Sequence, residues 1–215
     1  MRVLILGAGG HAQVVADILL QAYRAGSSTY PLGFLDDNPA LIGTTIMGLR
    51  VLGTIAQIDS IEHEGIIVAI GDNRTRARLF ELVQAKGKQI VNAIHPTAVL
   101  ASNVCLGCGV MICAGVVINT GSVIGDNVIL NTGCIVDHHN RIGNHAHIAP
   151  GVRLGGNVTV GEGALVGIGA VVLPQRTIGE WSIIGAGSVV TRDIPPYVTA
   201  VGVPARVIKH NKPGR

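Results

Sequence analysis

The sequence predicts an α/β, Rossmann-like domain over residues 1–93, followed by an all-β parallel β-helix domain with a C-terminal tail over residues 94–215. Three observations predict this fold class. An apolar segment at the N-terminus leads into a glycine-rich turn and an amphipathic segment. An aliphatic residue returns at every sixth position between Leu100 and Pro195. Aromatic residues make up only 3% of the chain, which suits a narrow prism whose interior has no room for rings.

The six-residue period runs through sixteen consecutive hexads, from the one that starts at Leu100 to the one that starts at Val190. The third residue after each aliphatic one is Gly, Asn or Asp in twelve hexads, and the fourth is small or β-branched in fourteen. Six fits neither a helix nor a flat strand, but it fits a short strand followed by a corner. We expect three hexads per coil. At each corner, the third residue after the aliphatic one is expected in the left-handed conformation.

Composition and the N-terminus limit the function classes. The net charge of +3 is too small and dispersed to indicate nucleic-acid binding. The chain goes directly into a strand at Val3, without a signal-peptide pattern, and no apolar run has membrane-spanning length. We therefore expect a cytoplasmic protein.

The four cysteines include a C-x-x-C pair, which invites a zinc or redox interpretation. The hexad register argues against it, because it points the four thiols in different directions. Buried or corner thiols are the expected outcome. The cysteines are Cys105, Cys108, Cys113 and Cys134.

The N-terminal domain opens with a buried strand over Val3–Leu6, and Gly7-Ala8-Gly9-Gly10-His11 follows it. A helix is predicted from about Ala12 to Ala25. Glycines let a ligand approach the backbone, and a helix N-terminus offers unpaired N–H groups to an anion. The turn is therefore a candidate phosphate site, although Ala12 stands where a full G-x-G-x-x-G has its third Gly.

A second strand, near Pro31–Leu35, ends at Asp36-Asp37. Acidic residues at this place hold ribose hydroxyls in doubly wound folds, and the alternative is a solvated turn. A third strand, Ile66–Ile70, ends in Gly71-Asp72-Asn73. Three strand ends thus carry Gly, Asp or Asn where a ligand crevice should lie, and so few strands favour a mononucleotide or nucleotide-sugar over NAD.

A second helix is predicted from about Arg74 to Lys86, with Asn73 as its N-cap, and Ile90–Asn92 is predicted as a last short strand.

Four of the eight histidines fall within ten residues of the solenoid: His138, His139, His145 and His147. His139 and His145 occupy corners where Gly or Asn is the rule. Asn140 stands in an inward slot, where a polar group needs a partner. His138 is predicted to point outward and to act as a general base, with Asp137 as a possible orienter of its other nitrogen. Surface histidines and a three-His zinc site across a subunit interface are the alternatives.

Five motifs together resemble a known family: G-A-G-G-H, F-L-D-D, I-x-H-P, V-D-H-H-x-x-I-G-x-x-x-H-I-A-P-G and V-G-V-P-A-R. They are similar to the sialic acid O-acetyltransferase and UDP-amino-sugar N-acetyltransferase type of the hexapeptide-repeat acyltransferase superfamily. The resemblance implies a left-handed β-helix, an exception to the usual crossover hand. It also implies a homotrimer, with acetyl-CoA in the groove between two prisms and a nucleotide-linked amino sugar on the N-terminal domain.

The resemblance also implies roles for individual residues. His138 matches the general base and His147 the histidine near the thioester. His139 departs from the Asp or Glu usual after the base, which leaves open what orients His138, whether Asp137 or no residue at all. The positions matching contacts to the pantetheine arm are Gly156, Ile168 and Ala186, and those matching sugar-nucleotide contacts are Gly9, His11, Asp36, Asp37 and Gly71, with Asn73 beside them.

The sequence therefore predicts an acetyl-CoA-dependent N-acetyltransferase of a nucleotide-linked amino sugar, with no metal. O-acetylation of a sugar such as sialic acid is the nearest alternative. A zinc-dependent, carbonic anhydrase-like prism and a non-enzymatic nucleotide-binding scaffold are further alternatives.

Overall fold

The computed structural model describes residues 1–212. Contacts divide the chain into two compact units that meet between Pro96 and Thr97. Within the described part of the chain, no helix combines the length and the apolar character needed to cross a bilayer.

The first unit is a parallel α/β layer structure. Its elements are β1 (Arg2–Leu6), α1 (Gly10–Arg24), β2 (Tyr30–Leu35), β3 (Thr45–Ile46), β4 (Leu49–Gly53), a 3-10 helix (Ile55–Asp59), β5 (Gly65–Val68), α2 (Asn73–Ala85) and β6 (Ala93–Ile94). The main sheet has the order β3-β4-β2-β1-β5, with β1 parallel to both β2 and β5. Strand β1 lies between β2 and β5, and four of its five residues are fully buried. The chain leaves β1 through α1 towards β2 on one side, and it leaves β5 through α2 towards the bridge at Ile90 on the other. The carboxyl ends of β1 and β5 therefore flank a topological switch point.

Three local predictions in this unit are wrong in detail. Helix α1 begins at Gly10, two residues before the predicted start. Asp72 is the N-cap of α2 in place of Asn73, because its Oδ1 accepts the Thr75 N–H at 2.8 Å. The predicted strand at residues 90–92 is reduced to one bridge between Ile90 and Ile66.

The second unit is built of two-residue strands. They are β7 (Val99–Leu100), β8 (Cys105–Leu106), β9 (Met111–Ile112), β10 (Val117–Ile118), β11 (Val123–Ile124), β12 (Ile129–Leu130), β13 (Ile135–Val136), β14 (Arg141–Ile142), β15 (His147–Ile148), β16 (Arg153–Leu154), β17 (Thr159–Val160), β18 (Leu165–Val166), β19 (Val171–Val172), β20 (Thr177–Ile178), β21 (Ile183–Ile184) and β22 (Val189–Val190). Two longer strands follow, β23 (Val198–Val201) and β24 (Arg206–His210).

Each short strand from β7 to β19 pairs in parallel with the strand three steps later, as Val117 does with Ile135. The strands form three faces: the first holds β7, β10, β13, β16, β19 and β22, and the second holds β8, β11, β14, β17 and β20. The third runs through β9, β12, β15, β18, β21 and β23, with β24 antiparallel on β23. The predicted left-handed parallel β-helix is confirmed.

The corners adopt the expected backbone conformation. Every third-following residue from Gly109 to Gly187 has a positive φ, including His139 at 57° and His145 at 60°. The aliphatic residues that open the hexads line the core, as Val136 and Ile148 do. A continuous column of corners with a fixed spacing thus places the side chains of one coil directly against those of the next.

Candidate functional site

His138 and His139 lie on the corner between the first and second faces, and both are exposed. Their Nδ1 atoms are 3.1 Å apart, and the two rings meet edge to face at 77°. The backbone of the pair is tied to the next coil, because Asn157 donates its N–H to the carbonyl of His138 at 2.9 Å. Nδ1 is the ring nitrogen of His138 that meets His139, and Nε2 is not part of this contact.

Glycines one coil away make room for the two rings. A Cβ at Gly156 would come within 2.5 Å of Nε2 of His138, and a Cβ at Gly121 would come within 2.9 Å of Nε2 of His139. The ring of His138 therefore lies against the backbone of Gly156, which is a predicted pantetheine contact. A glycine at position 156 therefore leaves room for the ring of His138.

Asp137 supports the corner through the main chain. Its Oδ1 accepts the backbone N–H of His138 at 2.8 Å and the Asn119 side-chain amide at 2.9 Å. The hydrogen bond from Asn119, then that from His138, lowers the pKa of the carboxyl. The carboxylate is thus bonded to the backbone of His138, and the ring of His138 meets His139.

The buried amide of Asn140 anchors the same corner from inside. Its Nδ2 donates to the carbonyl of Asp137 at 2.9 Å, and its Oδ1 accepts the Val158 N–H at 2.5 Å. Ser122 donates a second hydrogen bond to the Asp137 carbonyl at 2.8 Å. The polar partners expected for the inward-facing Asn140 are therefore backbone groups, the carbonyl of Asp137 and the N–H of Val158.

The other two histidines of the cluster are placed differently. His145 is buried, and its Nδ1 is 2.9 Å from Nδ2 of Asn127. His147 is on the third face, in β15, where its Nε2 is 3.1 Å from Nδ2 of Asn131. His138 and His147 thus occupy different sides of one prism. No group of three or more His, Cys, Asp or Glu side chains positioned to hold a metal ion occurs among residues 1–212.

The predicted coenzyme contacts fall on two corners. Gly156 lies one coil beyond His138 on the corner between the first and second faces. Ile168 and Ala186 follow the third face at the same hexad position, eighteen residues apart, and both are exposed, Ile168 by 61%.

In the first unit, hydrogen bonds bring three strand ends together. Gly7 donates its N–H to the Leu35 carbonyl at 2.7 Å, and Ala69 donates to Leu6 at 2.8 Å. The N–H of Ala8 donates to Oδ2 of Asp36 at 2.7 Å. The loops after β1, β2 and β5 therefore share one edge of the sheet, as a parallel sheet with a ligand crevice requires.

The glycine turn ends in an open helix N-terminus. Gly9 is the N-cap of α1 and supplies no side-chain cap. Nothing lies within 4 Å of a Cβ built at Gly9 or Gly10, so no other part of the chain crowds the two glycines on the side where a Cβ would stand. Such a terminus attracts an anion through its free donors and the helix dipole.

Both acidic residues after β2 hold backbone. Asp36 accepts the N–H of Ala8 and, through Oδ1, that of Asn38 at 2.8 Å, and Asp37 accepts the N–H of Ile55 at 2.9 Å. The two carboxylates thus stabilise the turn after β2, which was the alternative to ribose binding. Each carboxylate has further acceptor sites for ribose hydroxyls.

His11 and Arg76 form the buried polar part of this edge. Burial, aided by the positive charge of Arg76, lowers the pKa of His11 to about 4, so its imidazole is neutral at pH 7. Arg76 is fully buried, and its Nη1 donates to the carbonyls of Ile70 at 3.1 Å and Gly71 at 3.3 Å. Gly71 faces Cβ of His11, while Asn73 is buried at the first turn of α2.

Sequence reasoning missed Arg76. The only available signal was its place four residues after Asp72, on the face of α2 that carries Phe80 and Val83 to the core. Burial lowers the pKa of its guanidinium to about 9, which leaves the side chain charged at neutral pH.

The cysteines are thiols of two kinds. Cys105 is exposed and Cys108 partly exposed, whereas Cys113 and Cys134 are buried. Burial raises the pKa of Cys113 to about 11 and that of Cys134 to about 12. The buried and corner thiols expected from the hexad register are what the structure contains.

Comparison with known proteins places each unit. Residues 2–83 match the model of the PglD N-terminal domain, and residues 157–192 match that of the bacterial transferase hexapeptide with six repeats. No curated protein sequence gives a match.

Three solved structures are similar over nearly the whole chain. A histidine-to-asparagine variant of perosamine N-acetyltransferase from Caulobacter crescentus, in complex with CoA and GDP-perosamine, is 41% identical, with 96% of each chain covered and a TM-score of 0.90. The acetyltransferase domain of PglB from Neisseria gonorrhoeae, in complex with acetyl coenzyme A, is 35% identical, with 96% and 98% covered and a TM-score of 0.89. WeeI from Acinetobacter baumannii is 28% identical, with 97% and 100% covered and a TM-score of 0.84.

Proposed function

The chain belongs to the PglD-type family of hexapeptide-repeat acyltransferases, and on this premise we propose that it transfers the acetyl group of acetyl-CoA to the amino group of a nucleotide-linked amino sugar. The perosamine N-acetyltransferase, bound to CoA and GDP-perosamine, supports this N-acetylation over transfer to a sugar hydroxyl. A GDP-linked amino sugar is the first substrate to test, because that relative is 41% identical.

The observation that carries the mechanism is the exposed imidazole of His138, with Nδ1 engaged by His139 and Nε2 left over. We assign Nε2 as the general base. It takes a proton from the attacking amine while the new N–C bond forms and the C–S bond of the thioester breaks. The departing CoA thiolate takes up a proton, and backbone N–H groups stabilise the oxyanion.

We propose a homotrimer with its sites between neighbouring prisms. His138 and His147 are on different sides of one prism, so a site that uses both needs two chains. In this arrangement Gly156 is on the wall that carries the base, and the exposed Ile168 and Ala186 offer a corner with small or apolar side chains to the pantetheine arm. The proposed role of His147 is to contact the thioester region.

The first unit is proposed to hold the nucleotide sugar. The open N-terminus of α1, with Gly9 as its N-cap, is suited to the diphosphate. His11, neutral at pH 7, supplies a hydrogen bond rather than a charge. Residues that border the same edge and complete the proposed contacts are Asp36, Asp37, Gly71 and Asn73. Since acetyl-CoA and nucleotide sugars are cytosolic metabolites, we propose a cytoplasmic enzyme.

The deciding experiment measures release of CoA thiol from acetyl-CoA with UDP-, GDP- and dTDP-linked amino sugars and with their hydroxyl counterparts. We expect turnover with at least one amino sugar and none with the matching hydroxyl sugar. Turnover only with a hydroxyl acceptor would replace N-acetylation by O-acetylation, and no turnover with any acceptor would refute transfer.

The matched variants are His138→Asn and His63→Asn. His138→Asn should lower kcat by about 100-fold or more, the usual contribution of a general base, while CoA binding stays intact. His63 is in the first unit, where its Nδ1 is 2.6 Å from the carbonyl of Ile61, so its replacement should leave kcat unchanged. Equal activity of the two variants would remove His138 from the role of base.

A further inference from the structure

The ring of His139 lies within hydrogen-bond distance of Nδ1 of His138, where a hydrogen-bond partner determines the tautomer of the His138 ring. Its Nδ1 is 3.1 Å from Nδ1 of His138, a distance at which one proton joins the two nitrogens. The nitrogen of an imidazole that carries a proton is set by the hydrogen bond that the other one makes. If His138 donates from Nδ1, its Nε2 is unprotonated and competent as a base.

We propose that His139 is the positioning residue of the base, accepting the Nδ1–H of His138 and thereby leaving Nε2 free to take the proton of the sugar amine. This inference rests on the proposed acetyl transfer. It assigns to an imidazole ring the task for which a carboxylate is the usual choice in such pairs.

The surroundings of the pair leave this task to His139. The charged group next to it is Asp137, and its Oδ1 accepts the backbone N–H of His138 and the amide of Asn119. Gly156 lies against the His138 ring and Gly121 lies against the His139 ring, and neither carries a side chain. The His139 ring is thus the polar group that meets the ring of His138.

The backbone supports the same conclusion. His139 has a φ of 57° at a corner where Gly and Asn are frequent. Either of those residues would adopt this left-handed backbone conformation with less strain than His does. The ring is also seated, because its edge lies against Gly121 of the neighbouring coil. His145 and Trp181 carry rings at other left-handed corners, so what distinguishes His139 is that its ring meets the ring of His138.

The proton count of the pair has a consequence for the pH profile. With one proton on each ring, only the arrangement in which His138 donates from Nδ1 is productive. With a third proton on the pair, one proton lies between the two Nδ1 atoms and one is on each Nε2, so Nε2 of His138 can no longer accept a proton. A carboxylate in place of His139 would stabilise the imidazolium of His138 and so extend this inactive form to higher pH.

Two substitutions test the role. In His139→Asp, a carboxylate oxygen stands as many bonds from Cβ as Nδ1 does, and Asp tolerates the left-handed conformation. We expect near wild-type kcat at pH 8 and an acid limb of kcat/KM moved up by about one pH unit. His139→Gly relaxes the corner but removes the acceptor, and kcat should fall about 10- to 100-fold, with KM for both substrates within about twofold.

The control is His145→Asn, which replaces a histidine at the next left-handed corner, where its ring is buried against Asn127. Its acid limb should coincide with that of the wild type. If the wild type is active, two results would overturn the role of His139 and leave the proposed function standing. One is a pH profile of kcat/KM that is the same in His139→Asp as in the wild type, and the other is an unchanged kcat in His139→Gly. A wild type that transfers no acetyl group overturns the proposed function and, with it, this role.

Discussion

The imidazole of His138 lies against the backbone of Gly156, so a Cβ there would stand within 2.5 Å of Nε2. Because the added Cβ would collide with the proposed base, Gly156→Ala should displace the ring and lower kcat about 10-fold or more, with little change in the free energy of unfolding. Steady-state kinetics and thermal unfolding of the same preparation check this. Unchanged kcat with a folded protein would show that Nε2 is not the reacting atom.

Asn140→Ala should destabilise the β-helix. It leaves the buried N–H of Val158 without its side-chain acceptor, at a cost of about 1–3 kcal/mol. Asn144→Ala is the matched control, because the hydrogen bond from the Asp126 N–H to Asn144 is exposed and water can replace the amide. Urea unfolding of both variants measures the difference, and equal destabilisation would contradict a structural role for Asn140.

The buried His11 should make the protein less stable in mild acid. Its folded-state pKa of about 4 lies below the unfolded value of 6.5, so the unfolded chain binds more protons between these values. The contribution of the neutral ring is fully present above pH 6.5 and is lost as the pH falls towards 4, up to about 3 kcal/mol. In His11→Gln, urea unfolding should lose less stability between pH 7 and pH 5 than in the wild type. Equal losses would mean that His11 is readily protonated in the fold.

Thiol labelling should separate the cysteines by burial. Iodoacetamide at pH 8 should modify Cys105 first, because its side chain is exposed. Cys113 and Cys134 should react only in denaturant, since burial both shields their thiols and raises their pKa to about 11 and 12. Mass spectrometry of the wild type and of Cys105→Ser assigns the sites. Rapid labelling of Cys134 in the native protein would indicate opening of the β-helix.

The β-helix could be predicted almost residue by residue because its rules are local. The aliphatic residue of each hexad points inward, and the third-following residue turns the corner whatever the rest of the chain does. Even the contact between His138 and Gly156 is implicit in a repeat of eighteen residues. The contact between the rings of His138 and His139 could not be predicted in this way, because it depends on side-chain rotamers that spacing alone does not determine.

The first unit was predicted less completely. The short hairpin β3–β4 carries alternating burial over only five residues in β4, too few for a reliable period. Arg76 stands in the run Arg74-Thr75-Arg76-Ala77-Arg78, and the sequence does not show which of the three arginines is the buried one. Only the packing of α2 on the sheet selects the one that becomes buried.

The pairing of each strand with the one eighteen residues later restricts how such an enzyme can change its size. The loss or gain of one residue between two corners would shift the register of every later strand, whereas the insertion of a whole coil of eighteen residues would preserve it. The β-helix can therefore become longer or shorter only by whole coils. A wider or deeper groove for another acyl donor is more accessible by exchanging corner side chains, or by extending a corner as a loop, than by lengthening a strand.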